Sequence, residues 1–264
     1  MTLRPDGAAR AAFLRACELD VTVRKPGNVS VVSPGHGMTA SQFIASAHAA
    51  AAALFEPAAS VGQRIEQAVG ASLVAAGCNT NLGIALLCAP IATAAERDDG
   101  SALRRRIEAV LETLTIADAQ AAFRAIAAAN PGGLGQVNAE DVRGAPSVGL
   151  REAMALAAPR DTIARQYANG YHDLFEALVA LRGASVQRVF LHWLARWPDS
   201  HIVRKHGEAV AHTVMRAAQA WLAIDDPGSQ PRWASWDMEL KHAGINPGTS
   251  ADLTVATLVL HALQ

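Results

Sequence analysis

Lys25-Pro26-Gly27-Asn28-Val29-Ser30 sets an ammonium and a carboxamide beside a rigid Pro-Gly turn. These residue types grip phosphate oxygens when a turn holds them still. Four further polar islands follow: Asn79-Thr80-Asn81-Leu82-Gly83, Asn130-Pro131-Gly132-Gly133-Leu134-Gly135, Arg204-Lys205-His206-Gly207 and Asn246-Pro247-Gly248-Thr249-Ser250-Ala251-Asp252. Each alone has a plain structural reading as a turn, a helix cap or a solvated charge run. Together, in an otherwise apolar chain, they point to one composite site.

Asn79, Thr80 and Asn81 lie between strongly apolar stretches, where a polar group without a partner costs roughly 1–3 kcal/mol. Arg204, Lys205 and His206 stack three cations at a helix junction, a setting for phosphate. Thr249 with Asp252 three residues on mimics a capping box. The same turn offers free backbone N–H groups to an anion, and Asp252 is placed to reach a magnesium ion on phosphate oxygens. Asp161, Arg165, Asn169 and Asp173 recur every four residues, a polar stripe without Lys or Glu on one helix face. Nine histidines include no HExxH pair, which argues against a zinc enzyme.

The elements that must position these groups are helices. A capping box at Thr39-Ala40-Ser41-Gln42 opens one that runs to about Phe55. Helices follow over 61–76, stopped by Gly77, and over 82–95, bent or ended near Pro90. Residues 104–114 carry an apolar stripe, and Thr115-Ile116-Ala117-Asp118 caps the next helix, to 129. A short helix to 157 precedes the longest, over 160–182, with Gly183 at its end. Segments 187–197, 208–223, 235–242 and one from Thr249 or Ser250 to the C-terminus complete the set. Period-two runs of β-branched residues are nearly absent. The expectation is a single all-α domain over 1–264, a bundle of about ten helices.

Hydrophobic residues make up 51% and charged ones 18%, which excludes a disordered chain. A net charge of -1 gives no broad footprint for nucleic acid. No apolar run reaches the roughly 20 residues of a membrane helix. Cys17, Cys78 and Cys88 have neither zinc spacing nor an even count, so free thiols in a reducing cytoplasm are expected. The sequence leaves a homodimer open.

In order and spacing the islands resemble the triphosphoribosyl-dephospho-CoA synthase family, of the CitG/MdcB type, over most of the chain. Lys25-Pro26-Gly27 looks like its KPG loop, and Gly77-Cys78-Asn79-Thr80 like its GxNT segment. The segments 161–175, 204–207 and 246–254 look like its later motifs. Asn28 and Ser30 stand where the best-known members carry an aspartate, and Asn81-Leu82 where they tend to have His-Lys. These departures resemble a divergent subgroup found beside one-carbon cofactor pathways of the methanopterin and methanofuran kind.

The resemblance implies an all-helical enzyme that uses ATP and dephospho-CoA with magnesium. It displaces adenine and joins the ribose to the acceptor 2′-hydroxyl. The roles then expected are Asp173 or Asp161 as base, and Lys25, Arg204, Lys205 and His206 on the triphosphate. Asn28, Asn79, Asn81, Asn169, Asn246 and Thr249 would orient substrate. Asp252 and Asp141 are the candidate magnesium ligands. The rival reading is an ATP-dependent kinase or transferase of one-carbon cofactor biosynthesis, which would release ADP or AMP in place of adenine.

Overall fold

The computed structural model describes residues 5–97, 99–130 and 144–264, so Asp141 lies outside the described residues. Fourteen α-helices and no strand occur among them. In chain order these are α1 (Pro5–Thr22), α2 (Ala40–Leu54), α3 (Val61–Ala76), α4 (Leu82–Glu96), α5 (Leu103–Glu112), α6 (Ile116–Ala129) and α7 (Leu150–Ala157). Then come α8 (Thr162–Ala168), α9 (His172–Ala180), α10 (Val186–Arg196), α11 (Ser200–His206), α12 (Glu208–Leu222), α13 (Pro231–His242) and α14 (Gly248–Ala262). None is long and apolar enough to cross a membrane.

Local chemistry sets these boundaries. Thr39 and Gln42 form the expected capping box on α2, and Thr115 and Asp118 form one on α6. Gly77 ends α3 in the left-handed conformation, at φ 71°. Two expectations are corrected. The helix over 160–182 is two, because Gly170 (φ 68°) and Tyr171 (φ 62°) turn the chain between α8 and α9. Thr249 lies inside α14 and does not cap it; the cap position is Pro247, with no side-chain bond.

Pro90 neither ends nor leaves α4, which runs on to Glu96. A proline has no N–H, so the carbonyl four residues back, Leu86 O, loses its helical donor. The Tyr167 hydroxyl donates to that oxygen at 2.6 Å, and the Tyr171 hydroxyl donates to Leu87 O at 2.9 Å. The break between α8 and α9 thus sets one phenol on each side against the proline turn. Both residues are fully buried.

The larger apolar core joins α1 through α10 with α14, and a smaller one joins the other face of α10 to α11, α12 and α13 around Phe190, Trp233 and Trp236. Arg64 is fully buried yet satisfied. It donates to Leu54 O and Ala59 O and meets Glu96 at 2.6 Å, which ties α3 to the ends of α2 and α4.

At the crossing of α3 and α6, Gly62 N–H donates to Asp118 at 2.8 Å. Burial pushes the Asp118 carboxyl up, but bonds from Thr115 and Gly62 outweigh it and hold the group below its usual range. A Cβ on Gly62 would lie 2.5 Å from Asp118 Cα and 2.7 Å from its carbonyl oxygen. Backbone cannot yield as a side chain does. Gly62→Ala is therefore expected to cost about 3 kcal/mol in denaturant unfolding, the top of the overpacking range. A midpoint equal to that of the unchanged protein would show that the two helices can part freely.

Candidate active site

The KPG loop enters between α1 and α2. Gly27 (φ 80°) needs its missing side chain, since a Cβ there would lie 2.7 Å from Pro247 and 2.9 Å from Ile245 O. That contact presses the loop onto the turn before α14. Asn28 Nδ2 donates to Asn246 Oδ1 at 2.5 Å, while Asn28 Oδ1 is buried without a described partner. Lys25 is fully buried. It lies 3.0 Å from Asp20 Oδ1 and also donates to the Asp20 carbonyl, so its ammonium is spent inside the protein.

Beside this loop lies a cavity of about 540 Å³. Its polar lining includes Asp20, Asn28, His36, Asn79, Thr80 and Arg160 from the first two-thirds of the chain. Asn130 at the end of α6, Asp161 before α8, His201, Arg204 and Lys205 of α11, Asn246 before α14, and Thr249 and Asp252 of α14 add to that lining. Phe123 and Ile126 of α6, Met154 and Leu156 of α7, and Leu82 and Leu86 of α4 supply an apolar wall. A cavity part apolar, with convergent polar groups, is the usual form of a small-molecule site.

Asp199 binds the two helix N-termini on the polar side. Its carboxylate accepts from His201 N and Ile202 N at 2.9 and 3.1 Å, and from Ser250 N and Oγ at 2.7 and 2.8 Å. Burial still leaves its carboxyl raised above the ordinary range. Thr249 Oγ1 also accepts from His201 N.

Asp161 caps α8 through Ile163 N and Ala164 N and meets Arg204 at 2.7 Å. Asp252 has no described hydrogen bond. Its carboxyl is pushed well above the ordinary range by burial, then by the charges of Asp20 and Asp199; Asp161 adds to this and Arg204 opposes it.

The expected residues therefore divide. Asn28, Asn79, Asp161, Arg204, Lys205, Asn246, Thr249 and Asp252 line one cavity. Lys25 stands behind its wall through Asp20; Asn81 occupies the N-cap position of α4 without a side-chain cap bond, its Nδ2 buried and unpartnered, while Asn79 Oδ1 accepts from Leu82 N. His206 turns to Gly244 O at 3.1 Å.

Asp173 and Asn169 are not among the lining residues. Asp173 Oδ2 accepts from Arg165, Gln166 and Asn169, at 2.9, 3.0 and 2.7 Å. Burial raises that carboxyl, but these bonds outweigh it and hold it below the usual range. Outside the cavity lining, that carboxylate is not placed to act as base on a substrate bound there.

Asp20, His36, Arg160 and His201 were not foreseen. For His201 there was a signal: it shares a helix face with Arg204 and Lys205 at the i, i+3, i+4 spacing. Burial, then the charges of Lys205 and Arg204, lower its pKa to about 3, so its imidazole is neutral.

Magnesium fits what is present. No group of three or more His, Cys, Asp or Glu among the described residues forms a metal cage. Mg²⁺ takes one or two carboxylates plus substrate phosphates and keeps its waters. Asp252 offers an unbonded carboxylate, crowded by like charges that a cation would neutralise.

A comparison with curated proteins finds no match. A crystal structure described as a triphosphoribosyl-dephospho-CoA synthase, from Archaeoglobus fulgidus, shares the fold with a TM-score of 0.66 at 22% identity. The match covers 83% of this chain and 97% of that one. The family model for ATP:dephospho-CoA triphosphoribosyl transferase (CitG) matches residues 7–264. Nearly the whole chain, including every segment that lines the cavity, thus falls within that match, and the protein belongs to the ATP:dephospho-CoA triphosphoribosyl transferase family.

Proposed function

We propose that the cavity moves the triphosphoribosyl group of ATP onto the 2′-hydroxyl of dephospho-CoA and releases adenine. The observation that carries this is the meeting of eight expected polar residues, from separate segments of the chain, around one space. The triphosphate lies at the polar end, with Arg204, Lys205, Asn28, Asn246 and the N-terminus of α14. A helix N-terminus and two fixed cations suit an anion. The uncharged parts of the substrates lie along the wall of Phe123, Ile126 and Met154.

The C1′–N9 bond of ATP breaks while the acceptor oxygen bonds to C1′ from the opposite face. Positive charge builds on the ribose as the base departs. Asp161, of the two carboxylates expected as base, is the one that lines the cavity. It orients the acceptor hydroxyl and takes its proton late, and that proton finally leaves with adenine. His201, neutral and at the cavity wall, donates a hydrogen bond to the departing ring. Asp252 and Asp20 would hold magnesium, which supplies charge neutralisation of the triphosphate when bound. Lys25 keeps Asp20 in place. The free thiols of Cys17, Cys78 and Cys88 support a cytoplasmic setting.

The test is direct. Protein, ATP, magnesium and dephospho-CoA should yield adenine and the coupled nucleotide in equal amounts by mass. Release of ADP or AMP would overturn the glycosyl transfer and support the kinase reading.

A further inference from the structure

The loop that carries Asn28 and His36 into the cavity makes few bonds within itself. Backbone pairs join Asn28 to Lys25, Ser30 to Ser33, and Gly35 to Met38. Val31 N–H also donates to Val21 O, Lys25 is held by Asp20 and Asn28 by Asn246. The other polar anchors come from α13, more than 200 residues away, and no residue of α13 lines the cavity.

The anchors are spaced along the loop. Trp233 Nε1 donates to Arg24 O at 3.1 Å. Gly27 N–H donates to Asp237 Oδ1 at 2.9 Å. Lys241 Nζ donates to Ser33 O at 2.8 Å and to Ser33 Oγ at 2.7 Å, and its stem packs under Gly35.

Asp237 is fully buried and unites these contacts, 2.9 Å from Lys241 Nζ and 3.7 Å from Arg24 Nε. Trp236 stacks on Trp221 of α12 with centroids 5.8 Å apart, which braces α13 from behind. Asn28 immediately follows the residue held by Asp237, and His36 immediately follows the glycine on Lys241. His36 Nε2 closes the loop on Gly27 O at 2.8 Å.

We propose that α13 is a clamp on this loop, with Asp237 and Lys241 as positioning residues that hold Asn28 and His36 toward the substrate without touching it. Asp237 Oδ1 takes both the Gly27 N–H and Lys241 Nζ while Oδ2 faces Arg24, so one buried carboxylate fixes loop and helix together. Removing it leaves the cations unpaired and the Gly27 N–H orphaned, so the loop loses its shape before the helices part. The assignment of Asn28 and His36 to substrate rests on the function proposed above; the clamp itself does not.

The experiment separates the two. In Asp237→Ala, hydrogen exchange of segment 24–36 should rise at least about tenfold while α3 and α4 exchange as before. The KM for ATP should rise about tenfold with kcat within about threefold. Ile65→Ala, a cavity in the larger core away from the loop, lowers stability and should leave both readings unchanged. Where Asp237→Ala does not fold, Lys241→Met keeps the stem on Gly35 and should show the same pattern, at about threefold.

Unchanged exchange at 24–36, or loosening spread equally over α3 and α4, would overturn the clamp. A faster loop with an unaltered KM for ATP would overturn its role toward substrate. If the unaltered protein releases no adenine, the transferase reading falls, and the exchange data still decide the clamp.

Discussion

Asp252→Asn should cut turnover steeply and yet make the ligand-free, metal-free protein more stable. The carboxyl is held well above its ordinary value near 3.8, first by burial and then by Asp20 and Asp199. The folded state therefore binds this proton more tightly than the unfolded chain does. The stability so gained is full below the unfolded value and is lost as pH rises through the folded one. At neutral pH the folded protein either carries a disfavoured charge or keeps a proton against the solvent, and an amide does neither. In chelator, the melting temperature of Asp252→Asn should exceed that of the unaltered protein at neutral pH. The gap should close as pH falls toward 3.8.

Turnover should fall about a hundredfold or more, the usual cost of losing a group that stabilises developing or bound charge. Magnesium should raise the melting temperature of the unaltered protein and leave the variant where it is. A variant that turns over normally, or one less stable than its parent across the pH range, would remove Asp252 from the site.

Gly83→Ala should lose activity to a similar degree with the opposite sign on stability. Gly83 is the second residue of α4, where alanine would ordinarily gain up to about 1 kcal/mol in helix propensity. Here a Cβ would overlap Asp252 Oδ2 and come within 2.7 Å of Ile163 Cδ1. Overpacking costs about 1–3 kcal/mol, so strain outweighs propensity. The carboxylate can yield only by swinging away from its place beside α4, and the magnesium response of the melting temperature should go with it. An active Gly83→Ala would show that the position of Asp252 does not matter to the reaction. The pair thus tests one contact from both sides, since one variant removes the charge and the other displaces it.

Most helices were legible because their ends are written locally: Thr39 with Gln42, Thr115 with Asp118, and Gly77 act on their own few neighbours. The division of 160–182 was not, because its apolar spacing continues across Gly170 while the turn depends on tertiary partners for Tyr167 and Tyr171. That one break also undid the expected stripe. Asp161 belongs to the cavity and Asp173 to a knot of Arg165, Gln166, Asn169 and Arg196. The polar islands supply most of the cavity's polar lining, since amides and cations are rare in so apolar a chain. Asp20 escaped because a single carboxylate near the end of an alanine-rich helix has an ordinary solvated reading. Asp237 escaped because its contact with Gly27 spans 210 positions.

The phenols at the proline turn carry one more implication. Tyr167 and Tyr171 are the only tyrosines in the chain. Both are pushed above the ordinary phenol range, chiefly by burial, and their hydroxyl protons are held by carbonyls of α4. In alkali neither should ionise until the polypeptide opens. The ultraviolet band of the phenolate should then appear in one abrupt step, coincident with loss of helical circular dichroism. A gradual rise near pH 10, the value of a free phenol, would mean that solvent reaches the bend while the remaining helices stand.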